Sequence, residues 1–242
     1  MNEPNYMKRI RNHYLGRAFS RELVSMLCDE IDRRAGSRGV EIAQGRWVSP
    51  EALDEAFVPV ETKSRPTALQ PRPAAIIAMS FGYRLDSPFA RFPEDRRPGP
   101  NNEILSEIAE RCSRIFPEAQ LAVQHEVGIA LAESGGPKPE ITSPAQDWNT
   151  NQVLAYFLDH LPPNLFASNR NVIVVSHLHH YGRCALRLRH AGLEAAVPPQ
   201  EIASYANYDP SEAQPRFRSP WEYLLNDFLG LCGTLASGQG PQ

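Results

Sequence analysis

Short apolar runs alternate with amphipathic stretches between residues 74 and 197, and this alternation limits the folds open to the chain. The clearest run, residues 171–176, contains four consecutive Val or Ile residues, as is typical of a strand buried on both faces. Similar runs lie at residues 74–80, 119–123, 141–143 and 194–197. Helical spacing follows Asn101 or Asn102, Asn149 and Ser176, and the first two positions supply candidate N-caps. Because strands that alternate with helices form covered parallel sheets, the sequence predicts an α/β fold, a three-layer αβα, Rossmann-like and mostly parallel sheet.

The residues before this segment predict an added helical N-terminal section. Apolar residues recur at steps of three and four between residues 6 and 34, and Ser49-Pro50-Glu51 is typical of a capped helix start. Four prolines between residues 59 and 73 favour an extended connection. We therefore predict a helical extension over residues 1–60, a proline-rich linker over 61–73, a Rossmann-like domain over 74–235 and a disordered tail over 236–242.

Composition excludes several classes of function. The chain has 25 Lys and Arg against 28 Asp and Glu, so its net charge of −3 gives no general attraction to nucleic acid or anionic lipid. No apolar run approaches the roughly 20 residues that span a bilayer. The four cysteines show no metal-binding spacing, which fits reduced thiols. We expect a cytoplasmic chain with a small-molecule partner, and neither a nucleic acid nor a membrane partner.

Residues that directly follow the predicted strands are the candidates for function, because open parallel sheets bind ligands beyond the carboxyl ends of their strands. After the first strand, Gly82 allows a close approach of the backbone to a ligand, and Arg84 suits an anion. A plain turn with a surface arginine explains the same two residues. Asn149 and Thr150 open a helix, where they cap it or bind a ligand. For Gln124-His125-Glu126, after the second strand, we favour a structural or surface role.

The densest polar cluster spans residues 176–183 and holds three of the seven histidines. Helical spacing brings His180 close to Arg183, and a His with an Arg at a helix start suits a phosphate or carboxylate. Strand spacing places His177 and His179 on one side.

A metal site is the alternative for this cluster. His177 and His179, with a carboxylate such as Asp147 or Glu126, supply nitrogen and oxygen ligands, although no H-x-x-x-H spacing is present. An exposed polar helix start explains the cluster without any ligand.

Three segments together resemble the YdcF-like family, the group that includes SanA and ElyC. Residues 74–84 match its strand and glycine-containing turn, Asn149-Thr150 its Asn-Thr-led helix, and residues 172–185 its strand running into a Thr-Ser-x-x-His-x-x-Arg-Ala segment. His180 and Arg183 fall on the family's His and Arg, and Ser176 stands where Thr is usual. The resemblance covers residues 74–235 and lies closest to the branch without a membrane anchor. Gln124-His125-Glu126 departs from the family's Ser-Gly-Gly.

The resemblance implies a Rossmann-like domain that binds a small polar or nucleotide-type ligand, for which S-adenosylmethionine is a candidate. Our first hypothesis is an enzyme for group transfer or hydrolysis of an anionic ligand, with His180 as acid or base. Its ligand-binding residues are predicted to be Gly82, Arg84, Asn149, Thr150, Ser176 and Arg183.

Two other hypotheses stay open. One is a non-catalytic ligand-binding or interaction protein, because no nucleophile elbow or paired carboxylate motif is present. The other is a metal-dependent hydrolase built on His177, His179 and His180. The N-terminal section is equally suited to covering the ligand, contacting a partner or forming a homo-oligomer.

Overall fold

The computed structural model describes residues 3–16, 19–57, 72–85, 93–198, 208 and 217–236. The chain divides into two compact units, one formed by residues 1–63 and 215–242 and the other by residues 64–214. This division differs from the predicted boundaries, because the last helix belongs with the N-terminal residues and not with the parallel sheet. The predicted linker over residues 61–71 and the tail over 237–242 lie outside the described residues.

The first unit combines helices with a small antiparallel sheet. Its elements are α1 (Asn5–Gly16), α2 (Arg21–Arg34), β1 (Ala35–Gly36), β2 (Gly39–Ala43), β3 (Arg46–Val48), α3 (Pro50–Ala56) and, near the end of the chain, α8 (Pro220–Ala236). Ser20 and Ser49 cap α2 and α3, accepting hydrogen bonds from the backbone N–H of Leu23 and Ala52. The helices follow the predicted spacing, and a small antiparallel sheet accompanies them.

The sheet β1–β2–β3 depends on glycines at its turns. Gly39 and Gly45 have positive φ angles of 112° and 71°, so these glycines make the turns between strands. Val40 and Ile42 are buried alternately along β2, and they face the core of this unit. That core also contains the fully buried rings of Phe57 and Phe228, whose centroids lie 5.9 Å apart.

The second unit has the predicted α/β architecture. Its elements are β4 (Ala75–Ala78), β5 (Arg84–Leu85), a 3₁₀ turn (Pro93–Asp95), β6 (Arg96–Arg97), α4 (Pro100–Ile115), β7 (Gln120–Val123), α5 (His125–Glu133), β8 (Ile141–Thr142), α6 (Thr150–His160), β9 (Asn171–Val175), α7 (Leu178–His190) and β10 (Glu194–Ala196). Five of the strands form a parallel sheet in the order β10–β9–β4–β7–β8, with helices on both faces. The Rossmann-like fold class is confirmed.

The strand order determines the position of the topological switch point in this sheet. The chain begins in the centre at β4, passes through β7 to β8 at one edge, and then returns to β9 on the other side of β4. Connections therefore diverge between β4 and β9, which pair in register from Ala75 with Val172 to Ala78 with Val175. On one face, α6 and α7 contribute Phe157 and Leu188 to a core with strand residues. The carboxyl end of the β4–β9 pair is the crevice where such sheets bind ligands.

All four cysteines are buried, and none of them forms a disulfide bond. Within the described parts of the chain, no helix is long and apolar enough to cross a membrane.

Candidate ligand-binding site

The turn after β4 is held by a buried asparagine of α4. Asn102 is fully buried; its Oδ1 accepts a hydrogen bond from the Phe81 N–H, and its Nδ2 donates one to the Gly82 carbonyl, both at 2.8 Å. Gly82 is buried and has a φ of 75°, as the prediction of a glycine-dependent turn requires. The N-cap of α4 is Gly99, so Asn102 fixes the turn and does not cap the helix.

The loop after β7 is tied to this same turn. Gln124 Oε1 accepts a hydrogen bond of 3.1 Å from the Ser80 N–H. The next residue, His125, donates its backbone N–H to Ser143 Oγ at 3.2 Å, just beyond β8. Side-chain hydrogen bonds therefore connect the loops that follow β4, β7 and β8 at the carboxyl end of the sheet, called its carboxyl edge below.

An aromatic cluster lies at the junction of β4 and β9. The rings of Phe81 and His177 are fully buried and stack in parallel with centroids 3.7 Å apart. His177 is the N-cap of α7, and its Nδ1 accepts a hydrogen bond from the His179 N–H. His179 Nδ1 lies 2.5 Å from the hydroxyl of Tyr208. These contacts make the cluster part of the packed base of the site, and the helix starts too early for His177 and His179 to share a strand.

His180 and Arg183 form the pair that helical spacing predicts. Arg183 Nη2 lies 3.0 Å from His180 Nδ1. A guanidinium can only donate hydrogen bonds, so Nδ1 is the acceptor and a neutral His180 ring carries its proton on Nε2. The pair sits early in α7, directly after β9, and so lies at the carboxyl end of the β4–β9 pair.

The other predicted ligand-binding residues have different surroundings. Arg84 is exposed in β5, which pairs with β6. Asn149 Oδ1 accepts hydrogen bonds from the backbone N–H groups of Asn151 and Gln152, and Gln152 completes a capping box. The oxygen of Asn149 is therefore occupied by capping.

Thr150 and Ser176 are both buried. Thr150 is the first residue of α6, and Ser176 Oγ donates a hydrogen bond of 3.4 Å to the His177 carbonyl. Ser176 is thus part of the β9 junction, whereas Thr150 belongs to the start of a separate helix.

The described residues give no support to a metal centre. Among them, no three His, Cys, Asp or Glu side chains are arranged to hold a metal ion. The Nδ1 atoms of His177, His179 and His180 are each engaged within the chain. The metal-hydrolase hypothesis therefore has no ligand set in this part of the protein.

Sequence reasoning did not identify Arg96, which is 6% exposed. Its guanidinium donates to the Gln146 carbonyl at 3.0 Å and to the carboxylate of Asp147, and it lies over the Tyr83 ring at 4.4 Å. Its Nη1 is 3.7 Å from Glu126 Oε1. Arg96 stands in a proline-rich stretch with no periodic signal, so only the fold reveals its burial.

A cavity of about 380 Å³ lies at the opposite end of the strands. It is lined by residues around the amino ends of β4 and β7, among them Arg72 and Arg114. None of the predicted ligand-binding residues lines it, so the carboxyl edge remains the candidate site.

Fold and site together define the second unit as a Rossmann-like α/β unit with a cluster of polar side chains at its topological switch point. No protein-family model matches the chain, and no curated protein or solved structure matches it at a significant level.

Proposed function

We propose that the chain is a YdcF-like small-molecule enzyme that binds an anionic, nucleotide-type ligand between β4 and β9. Group transfer or hydrolysis is the reaction class, and S-adenosylmethionine is one candidate ligand. The observation that carries the proposal is the His180–Arg183 pair, because it stands beside the switch point of the strand order.

The chemistry of this pair suits an anion. Arg183 brings a permanent positive charge, and a neutral His180 brings an Nε2–H donor. Both stand near the N-terminal end of α7, where the helix dipole favours negative charge. A phosphate or carboxylate here gains charge-assisted hydrogen bonds, each contributing about 1.5–3 kcal/mol.

His180 then acts on the reaction by hydrogen-bond donation. A general base needs an unprotonated ring nitrogen, and the Nδ1 of His180 is occupied by Arg183. Donation from Nε2 to an oxygen that becomes negative in the transition state stabilises that charge. In this proposal, His180 lowers the barrier electrostatically while Arg183 holds the ligand and orients the ring.

A non-catalytic ligand-binding protein is the second candidate. It is favoured because several polar atoms of the predicted site make hydrogen bonds within the chain. These are Asn149 Oδ1 and the Nδ1 atoms of the histidine cluster. Binding without turnover distinguishes this candidate from the enzyme.

The test is isothermal titration of the full chain with AMP, ADP, ATP, S-adenosylmethionine and S-adenosylhomocysteine. We expect Arg183→Ala to weaken binding of the tightest probe by about 10- to 100-fold, corresponding to the loss of a charged hydrogen bond. The matched control is Arg189→Ala, which removes an exposed arginine from the last turn of the same helix. Equal affinities in the two variants, or no binding of any probe to the wild type, contradict the proposal.

Turnover of the bound probe is followed by mass spectrometry of the products. His180→Gln should slow product formation while leaving the fold intact by circular dichroism. A probe that binds in an Arg183-dependent manner but is never converted supports the non-catalytic candidate.

A further inference from the structure

We propose that Glu126, together with His125, binds a hydroxyl-bearing part of the ligand, of the kind that a ribose presents. The assignment rests on the proposed function and identifies a second contact at the same edge of the sheet.

Glu126 is a buried carboxylate with an oxygen that the described residues leave unsatisfied. Its exposed fraction is 2%, and Oε2 has no hydrogen-bond partner within the described parts of the chain. His125 Nε2, on the adjacent residue, is likewise buried without a partner there. Folded proteins rarely leave buried polar groups unpaired, because each such group loses its hydration without compensation. Two of them on neighbouring residues point to a missing partner molecule.

Arg96 does not fill this role. Its Nη1 lies 3.7 Å from Glu126 Oε1, which is longer than a hydrogen bond, while its donors reach the Gln146 carbonyl and the Asp147 carboxylate. Arg96 therefore compensates the charge of Glu126 and leaves Oε2 as an acceptor.

The pairing of a carboxylate with an imidazole defines the chemistry of the partner. Burial is the main cause that lowers the pKa of His125; the charge of Glu126 opposes this shift, and Arg96 and Arg97 add to it. The net shift is downward, which favours a neutral ring at neutral pH. A hydroxyl can donate to Glu126 Oε2 and accept from a neutral His125 Nε2–H at the same time. A phosphate cannot donate in this way and is repelled by the carboxylate, and an ammonium group cannot accept. The site therefore favours a neutral hydroxyl.

The topology places this pair at the same carboxyl end of the sheet as the proposed anion site, with β4 between the two strands that lead to them. β7 pairs directly with β4 and ends at Val123, and Glu126 lies in the first turn of α5 that follows. Gln124, between them, accepts a hydrogen bond from Ser80 in the turn after β4. In dinucleotide-binding sheets, an acidic side chain in the corresponding region meets the ribose hydroxyls. A nucleotide whose phosphate contacts Arg183 would present its ribose toward this corner.

The test compares ribose and deoxyribose probes on matched variants. The tightest-binding probe among AMP, ADP, ATP and S-adenosylhomocysteine is titrated beside its 2′-deoxy and 3′-deoxy analogues, using wild type, Glu126→Gln and Glu133→Gln. Glu133 is exposed at the end of the same helix and controls for the loss of one carboxylate. We expect about a tenfold preference of the wild type and of Glu133→Gln for the ribose form over at least one deoxy analogue.

Glu126→Gln should reduce that preference to near unity by weakening the ribose form alone. Circular dichroism and thermal unfolding without ligand establish that each variant is folded; if Glu126→Gln is not, Glu126→Asp shortens the side chain and keeps the charge. A variant at position 126 that loses thermal stability but keeps the tenfold preference shows a purely structural role and overturns the assignment. Absence of a preference in the wild type also overturns it.

Failure of the proposed function has a different signature. In that case no probe binds the wild type, or Arg183→Ala binds as tightly as Arg189→Ala, and the assignment of Glu126 falls with it.

Discussion

Replacing Asn102 by alanine tests whether one side chain holds the turn that forms the site. Asn102 is fully buried and makes two hydrogen bonds of 2.8 Å, one from the Phe81 N–H and one to the Gly82 carbonyl. Alanine leaves both backbone groups buried without these partners, at about 1–3 kcal/mol each. Alanine is also the better helix former, by up to about 0.7 kcal/mol, which offsets a small part. We therefore expect Asn102→Ala to lower the free energy of unfolding by about 1.3–6 kcal/mol.

The measurement combines urea unfolding with hydrogen exchange of the peptide that contains the Phe81 amide. Asn151→Ala is the matched control, because Asn151 is exposed in the first turn of α6 and its substitution brings the same gain in helix propensity. Exchange at residues 79–83 should accelerate in Asn102→Ala and remain unchanged in the control. An unfolding free energy within about 0.5 kcal/mol of that of the control would refute the reasoning.

Three further substitutions test the first unit and the pH dependence of the second. Gly39 has a φ of 112°, and Gly39→Ala would place a Cβ 2.1 Å from the Val48 carbonyl oxygen, so we expect the first unit to lose its native fold. Gly45 has a φ of 71° and open space around it, so Gly45→Ala should lower the free energy of unfolding by only about 1–3 kcal/mol. Thermal or urea unfolding measures both effects. His125→Asn tests proton linkage: burial lowers the pKa of His125 below 6.5, so the folded state binds this proton less well and the unfolding free energy falls as pH drops below about 6.5. Urea unfolding between about pH 7.5 and 5.5 should show a smaller decline in the variant. His190, whose pKa is also lowered, contributes to the decline that stays, and a decline unchanged by the substitution contradicts the assignment.

The parallel sheet was predictable because its strands are buried on both faces. Every residue of β4 is buried, and so are the last four of β9, so both strands appear in the sequence as continuous apolar runs. The small sheet of the first unit gives no such signal, since its strands have only two to five residues and one polar face. The sequence also did not predict that α8 belongs to the first unit, because an apolar helix face predicts that the helix is buried but not which elements pack on it.

The site was predictable only where it is local. Helical spacing alone predicts the contact between His180 and Arg183. An asparagine directly before a helical pattern likewise predicts the N-cap at Asn149. The contact of Arg96 with Asp147 joins residues 51 positions apart, and nothing near Arg96 in the sequence indicates that it is buried. A contact between residues so far apart forms only when the folded sheet brings the carboxyl ends of its strands together, so local sequence patterns do not predict it.

The carboxyl edge of the sheet separates atoms that maintain the fold from atoms that suit a ligand. The side-chain oxygens of Asn102, Gln124 and Ser143 accept hydrogen bonds from backbone N–H groups of the loops, so these loops are held in place before a ligand binds. Such preorganisation lowers the ordering cost of binding. Glu126 Oε2 has no corresponding partner in the described chain, although it is equally buried at the same edge. Glu126 Oε2 and His125 Nε2 therefore differ from the paired side-chain oxygens of the loops around them, and a ligand hydroxyl is the group that would pair with both.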